Sequence, residues 1–432
     1  MRSVYRILIR VLAPLAAAVT LLRAIRDPAY RAGFAERLGF GPVRGAAGAI
    51  WLHAVSLGEV AAAGPLVRAL RERHPRQGIV ITTATPTGRA KARSAFGDDA
   101  DVRYLPYDTP RAVARFLDRV RPGVGVIMET ELWPNLFEAC SRRGIPLVLA
   151  SARLSARSVG RYRRGGALFR GLFGPGVAVA AQTDADAERF RQIGADPARM
   201  RVLGNVKFDL EIDPTLPARA SALRASDFGA RPIWVAGSTH AGEERAVLDA
   251  HRDVLRTVPN ALLILAPRHP PRFDAVASIL HGAGWRFARR SGGGPVPPSV
   301  PVLLLDTIGE LPLYYAAADV AFVGGSLVPV GGHNLLEPAA AAVPVLTGPS
   351  IDNAREVAAL LTSAGAARIV ANAAELGAQL ARWLADPAER ARVGAIGRQT
   401  VEMQRGSVAR LVEWLDAGLG PVATGGDAGA PR

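Results

Sequence analysis

Apolar runs alternate with stretches of helical spacing along most of the chain. In the first half the runs are IWLHAVS (50–56), IVITTAT (79–85), VRYLPYD (102–108), VGVIMET (124–130), IPLVLASA (145–152), VAVAAQT (177–183) and RVLGN (201–205), and each reads as a strand. Between most of them lie Ala/Arg/Leu segments with helical spacing, such as Glu59 to His74 and Pro110 to Val120. Such alternation predicts right-handed crossovers and a parallel sheet covered on both faces. After Asn205 the pattern breaks into the polar, proline-containing DLEIDPTLPARASALRASDFGARP, then restarts with IWVAGST (233–239), ALLILAP (261–267), VPVLLLD (300–306), VAFVGGS (320–326) and VPVLTGP (343–349). The expectation is an α/β chain of two doubly wound units: residues 25–210, a linker over 211–231, and residues 232–419. Ligands of such sheets bind beyond the carboxyl ends of the strands, which predicts a site in a cleft between the units. SGGGPVPPSV (291–300) reads as an exposed loop and 420–432 as a flexible tail.

The N-terminal stretch (1–24) has a different pattern. Arg2, Arg6 and Arg10 are spaced four apart and share a helical face, while the charge-free run from Val11 to Leu22 is shorter than the roughly 20 residues of an uninterrupted span and contains Pro14. No small-residue cleavage site suggests a secretory signal. A basic amphipathic helix lying among headgroups, or a short tilted anchor with snorkelling arginines, suits the pattern; an ordinary amphipathic helix packed on the body is the alternative.

Length and charge narrow the classes. At 432 residues two domains are expected, and the 49% hydrophobic content with mean hydropathy +0.15 fits well-buried globular units. A net charge of +15 favours an anionic partner. Nucleic acid is disfavoured, because the arginines are scattered over helices rather than gathered with stacking aromatics, and aromatic content is only 6%. Only Lys91 and Lys207 are lysines in an arginine-rich background. The single cysteine, Cys140, excludes an internal disulfide and a cysteine-rich metal site, which fits a reducing compartment.

The unusual residues cluster after strands. HAVSLGE puts Ser56 and Gly58 in a turn and Glu59 at a helix start, either as a partner of the helix dipole or as a general base on an alcohol. METELWPN carries Glu129 and Glu131 two apart, on one face if the backbone is extended, where paired carboxylates could bind a metal, position a base or orient sugar hydroxyls. No His or Asp nearby completes a metal site. Lys207 follows the seventh strand in GNVKFD. APRHPPRF sets Pro267, Arg268 and His269 at a strand end, with the Arg268 fork suited to a phosphate. DTIGEL offers Ile308, Gly309 and Glu310. GGSLVPVGGHNLLEPAA, containing Ser326, His333, Asn334, Leu335, Leu336 and Glu337, follows a strand and precedes a helix, so its amides are expected to face an anion and its glycines to give a nucleotide backbone approach. Glu337 then either accepts ribose hydroxyls or closes a capping box with Asn334. Walker A, G-x-G-x-x-G and G-x-S-x-G patterns are not present, which disfavours ATPase, dehydrogenase and serine hydrolase chemistry.

With HAVSLGE, METELWPN, SARLSARS, GNVKFD, APRHPPRF and GGSLVPVGGHNLLEPAA in order, the chain closely resembles the bacterial 3-deoxy-D-manno-octulosonic acid (Kdo) transferases of lipopolysaccharide inner-core synthesis, over nearly its whole length. The resemblance implies a two-domain GT-B glycosyltransferase attached by its N-terminus to the cytoplasmic face of the inner membrane. It implies CMP-Kdo as donor, the 6′-hydroxyl of lipid IVA as acceptor, and no metal cofactor. By position it implies Glu59 as general base and Glu129 and Lys207 as transition-state stabilisers. It implies cytidine nucleotide binding by Pro267, Arg268, Ile308, Gly309, Glu310 and Asn334 to Glu337. Ser56, Gly58, Glu131, His269, Ser326 and His333 are further candidates for donor or acceptor contact. The rival readings are another GT-B enzyme using a UDP-sugar, whether transferase or non-hydrolysing epimerase, and a non-enzymatic basic membrane or nucleic-acid binding module.

Overall fold

In a computed structural model, which describes residues 2–44, 47–211 and 213–419, the chain divides into two compact units. Unit 1 comprises Met1–Asp209 with Gln404–Arg432, and unit 2 comprises Leu210–Met403.

Unit 1 holds seven strands: β1 (Ile50–His53), β2 (Ile79–Thr83), β3 (Asp101–Tyr104), β4 (Val124–Met128), β5 (Leu147–Ala152), β6 (Val177–Ala181) and β7 (Met200–Val202). They form one sheet in the order β3-β2-β1-β4-β5-β6-β7, every pair parallel. Alternation along β1 divides its side chains between two cores. Trp51 packs edge-on against Phe116 at 5.2 Å on one face, while Ile50 and Leu52 enter a second cluster with Leu66 and Val126 on the other. The helices begin where strands end because Ser56, Thr85, Thr109 and Thr183 stand at N-caps and each accepts a backbone N–H, a contribution of about 1 kcal/mol per cap. Pro86 and Pro110 open two of these helices, and Pro134 opens the helix Pro134–Arg142, at positions where a missing N–H costs nothing.

Unit 2 repeats the plan with β8 (Ile233–Thr239), β9 (Leu262–Pro267), β10 (Phe287–Arg289), β11 (Val302–Leu304), β12 (Val320–Val323), β13 (Val345–Thr347) and β14 (Ala367–Ile369), all parallel in the order β10-β11-β9-β8-β12-β13-β14. The strand order reverses between β1 and β4 in unit 1 and between β8 and β12 in unit 2, the switch points beyond which ligands of open α/β sheets bind.

Three features differ from the sequence patterning. The edge strands β10 and β14 are extra; each has three residues, with an arginine in the sequence FAR or ARI, too short to show a period. The described part of the expected linker carries a helix, Leu216–Leu223, continued by the π turn Arg224–Phe228, and Arg224 is tied into unit 2 through Asp319 at 2.9 Å. The last helix, Ser407–Leu419, belongs to unit 1, not to the second domain. Val408, Leu411, Val412 and Leu415 bury into its core, and the Asp209 carboxylate accepts the Gly406 and Val408 N–H groups at 2.6 Å each. The tail expected over 420–432 lies outside the described residues.

The N-terminal helix runs unbroken from Arg2 to Arg26 through Pro14. One side meets unit 1 through Tyr5 to Asp108 (2.7 Å), Arg6 to Glu138 (2.7 Å) and Thr20 to Tyr107 (3.0 Å). The remaining surface exposes Ile7, Val11, Leu15, Leu22 and Ile25. With mean hydropathy 1.9 over its most apolar stretch, Ser3–Arg26 is long and apolar enough to cross a membrane by length and composition.

Candidate functional site

In unit 1 the chemistry collects at the carboxyl ends of β1, β4 and β5 and just beyond β7. Ser56 caps the helix Leu57–Arg73, and its hydroxyl receives the Glu59 N–H at 3.4 Å. The Glu59 side chain folds back: Oε2 accepts the Val55 N–H at 2.9 Å and Oε1 accepts the Ser56 hydroxyl at 3.3 Å. The helix start thus fixes the carboxylate in a near capping-box geometry, the acceptor reaching one residue upstream of the cap. Burial raises the Glu59 carboxyl above its ordinary value, the Val55 N–H opposes this, and the Glu129 charge raises it further. Capping and basicity therefore coexist in one side chain. Gly58 is exposed in the first helical turn.

Strand β4 stops at Met128, and Glu129 turns left-handed with φ +54°, a costly conformation for a residue with a side chain. Glu129 and Glu131 therefore do not share a face by strand alternation, contrary to the spacing argument. They converge electrostatically all the same. Glu129 meets two cations, Lys207 Nζ at 2.6 Å from Oε1 and Arg153 Nε at 3.0 Å from Oε2. Burial pushes its carboxyl up, but Lys207 and then Arg153 outweigh burial and hold it below the ordinary range. Lys207 is not a solvated linker residue: it sits in the 3₁₀ turn Val206–Phe208, whose start is capped by the Asn205 side chain accepting the Lys207 N–H at 3.0 Å. Glu131 is pushed up to about 7, first by burial and then by Glu59. One carboxylate is neutralised by cations while its two neighbours are made more basic, an arrangement suited to proton removal next to a developing charge.

In unit 2 the glycine-rich stretch does face an anion, but the anion belongs to the protein. The fully buried Glu243 carboxylate accepts the Gly325 and His240 N–H groups on Oε2, at 2.7 and 2.9 Å, and those of Ser326 and Leu327 on Oε1, at 2.9 and 2.8 Å. These amides are not free for a phosphate. The glycines make room for the same contacts: a Cβ on Gly324 would lie 3.0 Å from Glu243 Oε2, and one on Gly325, whose φ is +69°, would lie 2.8 Å from the His333 ring. Ser326 is buried, donates its hydroxyl to Val323 O at 2.7 Å and accepts the Gly348 N–H at 2.8 Å, so it serves the loop.

The helix expected after the glycines is a single turn, Leu336–Ala340, with Leu335 at its N-cap. Asn334 Oδ1 accepts the Leu336 N–H at 3.0 Å, and Asn334 Nδ2 donates to Glu337 Oε1 at 3.0 Å. Asn334 thus does the capping, whereas Glu337 binds a side chain and no backbone donor. Burial raises the Glu337 carboxyl, against the Asn334 hydrogen bond and the charge of Arg268.

Pro267 ends β9, and the Arg268 N–H continues the ladder to Thr239 O at 3.0 Å. Among the described residues the Arg268 guanidinium has no hydrogen bond or ion pair. His269 is exposed just beyond it. Ile308 is 78% exposed beside Gly309, and Glu310 is held bidentately by Arg290 at 3.0 and 3.2 Å, with the Thr307 hydroxyl also donating to it. Arg290 lowers the Glu310 carboxyl. Among the described residues no group of three or more His, Cys, Asp or Glu is placed to hold a metal.

Sequence reading missed Arg153, His240, Glu243 and Arg290. Glu243 had a signal, since THAGEE repeats after β8 the strand-end carboxylate pattern of HAVSLGE after β1.

A family described as 3-deoxy-D-manno-octulosonic-acid transferase (kdotransferase) matches residues 32–210. The chain is 39% identical over 421 residues to the 3-deoxy-D-manno-octulosonic acid transferase of Haemophilus influenzae, covering 96% of this chain and 98% of the relative. It is 40% identical over 441 residues to that of Bordetella pertussis, covering 97% and 100%. Among solved structures it is similar to UDP-GlcNAc 2-epimerase from Neisseria meningitidis, at 13% identity and TM-score 0.57 over 85% of this chain and 99% of that one. It is also similar to a glycosyltransferase from Rickettsia africae, at 12% identity and TM-score 0.56 over 87% and 99%. At such identities the likeness concerns the fold, which is GT-B with two Rossmann-like parallel sheets.

Proposed function

The chain belongs to the Kdo transferase family, and from that premise we propose that unit 1 activates the acceptor hydroxyl while unit 2 holds the cytidine nucleotide of CMP-Kdo. The enzyme is a glycosyltransferase that moves Kdo from CMP-Kdo. The acceptor we assign is the 6′-hydroxyl of lipid IVA. Glu59 takes the hydroxyl proton, the hydroxyl oxygen bonds to the anomeric carbon of Kdo, and the bond from that carbon to the phosphate oxygen breaks with its electron pair left on CMP. A single displacement inverts the centre.

The observation that carries this reading is the fixed, raised Glu59 carboxylate beside the Glu129–Lys207 pair. Lys207 either compensates the charge that grows in the transition state, which strengthens binding as the reaction proceeds, or holds the Kdo carboxylate. In unit 2 the Arg268 guanidinium, unpaired among the described residues, suits the phosphate, exposed Ile308 and Gly309 suit contact with the nucleotide, and Glu337, whose one partner among those residues is Asn334, has lone pairs left for ribose hydroxyls. The exposed apolar surface of the N-terminal helix suits the inner-membrane surface, where a lipid acceptor resides, on the cytoplasmic side.

Incubation with CMP-Kdo and lipid IVA followed by mass analysis of the lipid tests the assignment. A mass increase of one or more Kdo units is expected; an unmodified lipid, with transfer from a UDP-sugar instead, would replace the reading with its GT-B rival.

A further inference from the structure

We propose that His240 and His333 form a proton-sharing pair that contacts the phosphate of the bound cytidine nucleotide and takes up a proton as this anion arrives beside Arg268. This rests on the reading that unit 2 holds the nucleotide. Nε2 of His240 lies 2.8 Å from Nε2 of His333, and two ring nitrogens this close hold one proton between them. The rings are nearly parallel, at 9° with centroids 5.0 Å apart. Among the described residues neither Nδ1 has a hydrogen-bond partner within the protein, so each ring keeps one nitrogen for a ligand.

Both rings are fixed by the contacts that fill the glycine-rich loop. Gly325 leaves the space occupied by the His333 ring, and the His240 backbone is anchored on Glu243. The charged groups around the pair come from two further elements. Arg268 and His269 stand after β9, with the His269 ring edge-on to His240 at 5.3 Å; Glu243 and Glu244 open the helix Glu243–Thr257. The acids are already engaged: Glu243 accepts four backbone N–H groups, and Glu244 is paired with Arg272 at 2.6 Å. Arg268 is not, and at His333 the neighbouring charges that act are all positive, whereas at His240 Glu243 and Glu244 oppose His269 and Arg268.

Burial, with these charges behind it, keeps the pair uncharged in the empty protein. Burial and then Arg268 push His333 down to about 4, and burial and then His269 lower His240. A phosphate beside Arg268 cancels the repulsion and offers an acceptor to a protonated Nδ1, so the affinity of the pair for a proton rises. During transfer the broken carbon–oxygen bond leaves its electron pair on the phosphate, whose second ionisation lies near pH 6. The pair retains its proton facing that oxygen, while the acceptor proton goes to Glu59. His333 is the contacting residue, and His240 positions it and shares its proton.

The test is calorimetric titration of the full chain with cytidine 5′-methylphosphate, whose single phosphate charge does not titrate near neutrality, in buffers of different ionisation enthalpy at about pH 6, 7 and 8. Wild type should bind with net proton uptake and gain affinity as pH falls. His333→Asn and His240→Asn, checked for an unchanged unfolding midpoint, should bind about tenfold more weakly with the uptake abolished. Wild-type binding without buffer-dependent heat, or variants that take up as many protons as wild type, would overturn the proposal alone. An absence of wild-type binding would overturn the nucleotide reading of unit 2 and the proposal with it.

Discussion

Lys207 Nζ lies 2.6 Å from Glu129 Oε1, so a residue beyond the last strand of the first sheet grips the turn at the end of its β4. Lys207→Ala would leave Glu129 with Arg153 alone and let burial raise its carboxyl. The expected result is a loss of about 1–3 kcal/mol in stability, from one charge-assisted hydrogen bond, measured by denaturant unfolding. Transfer should fall about 10²–10³-fold in single-turnover assays while CMP affinity stays unchanged, because Arg268 and its neighbours lie in the other unit. Full transfer activity in the variant would remove Lys207 from the mechanism.

Glu59→Gln separates basicity from capping. Glutamine can still accept the Val55 N–H with its carbonyl oxygen, so the helix start survives and the unfolding midpoint should hardly move. It cannot take a proton. Transfer should drop about 10²–10⁴-fold with CMP binding intact. A variant that loses stability yet transfers Kdo normally would assign Glu59 to the cap only.

Glu131 predicts a pH-dependent stability. In the folded protein its carboxyl is pushed up to about 7, whereas an unfolded glutamate titrates near about 4.3. Between these values the folded state binds more protons than the unfolded state, so this group's contribution falls as pH rises from about 4.3 to 7. Glu131→Gln abolishes that slope. Its melting temperature should match wild type near pH 4 and exceed it above pH 7; a lower melting temperature at pH 8 would mean that the ionised carboxylate is stabilising.

How legible the molecule was depends on which signal each part requires. Core strands such as β1 and β8 announce themselves, because residues buried on both faces make continuous apolar runs. The edge strands β10 and β14 need only a few backbone hydrogen bonds and few buried side chains, so FAR and ARI carry no pattern. The helix Ser407–Leu419 shows its apolar stripe in the sequence, but a stripe does not say which core receives it. Glu59, Glu129 and Lys207 stand out in the sequence because carboxylates and a rare lysine at strand ends are conspicuous. Arg153 does not, being one arginine among many, although it completes the Glu129 pair. The left-handed step at Glu129 has no residue signature, since a glycine is not present to mark it.

Glu337→Gln tests the ribose role of that residue. Among the described residues its only hydrogen bond is to the exposed Asn334 side chain, and the Leu336 N–H is already satisfied by Asn334. Stability should therefore change by less than about 0.5 kcal/mol. CMP binding should weaken by roughly tenfold, the loss of one charge-assisted hydrogen bond to a ribose hydroxyl. Unchanged binding with a lowered melting temperature would favour the helix cap instead.

Glu243→Gln makes the opposite prediction at a position of similar composition. Four backbone N–H groups converge on the two oxygens of Glu243, two on each, and the site is fully buried. A glutamine offers one oxygen, so whichever way its amide turns, two N–H groups face an NH₂ and lose their acceptor. Each buried donor left unsatisfied costs about 1–3 kcal/mol, and the expected destabilisation is about 2–5 kcal/mol in denaturant unfolding. His240 hangs from the same carboxylate, so nucleotide binding should fall as well. If the glycine-loop amides instead served an external phosphate, removing the internal anion would free them: the variant would keep its stability and bind CMP more tightly. The two outcomes differ in stability and have opposite signs in binding, so a single variant distinguishes a loop that is built around its own carboxylate from one that waits for a ligand.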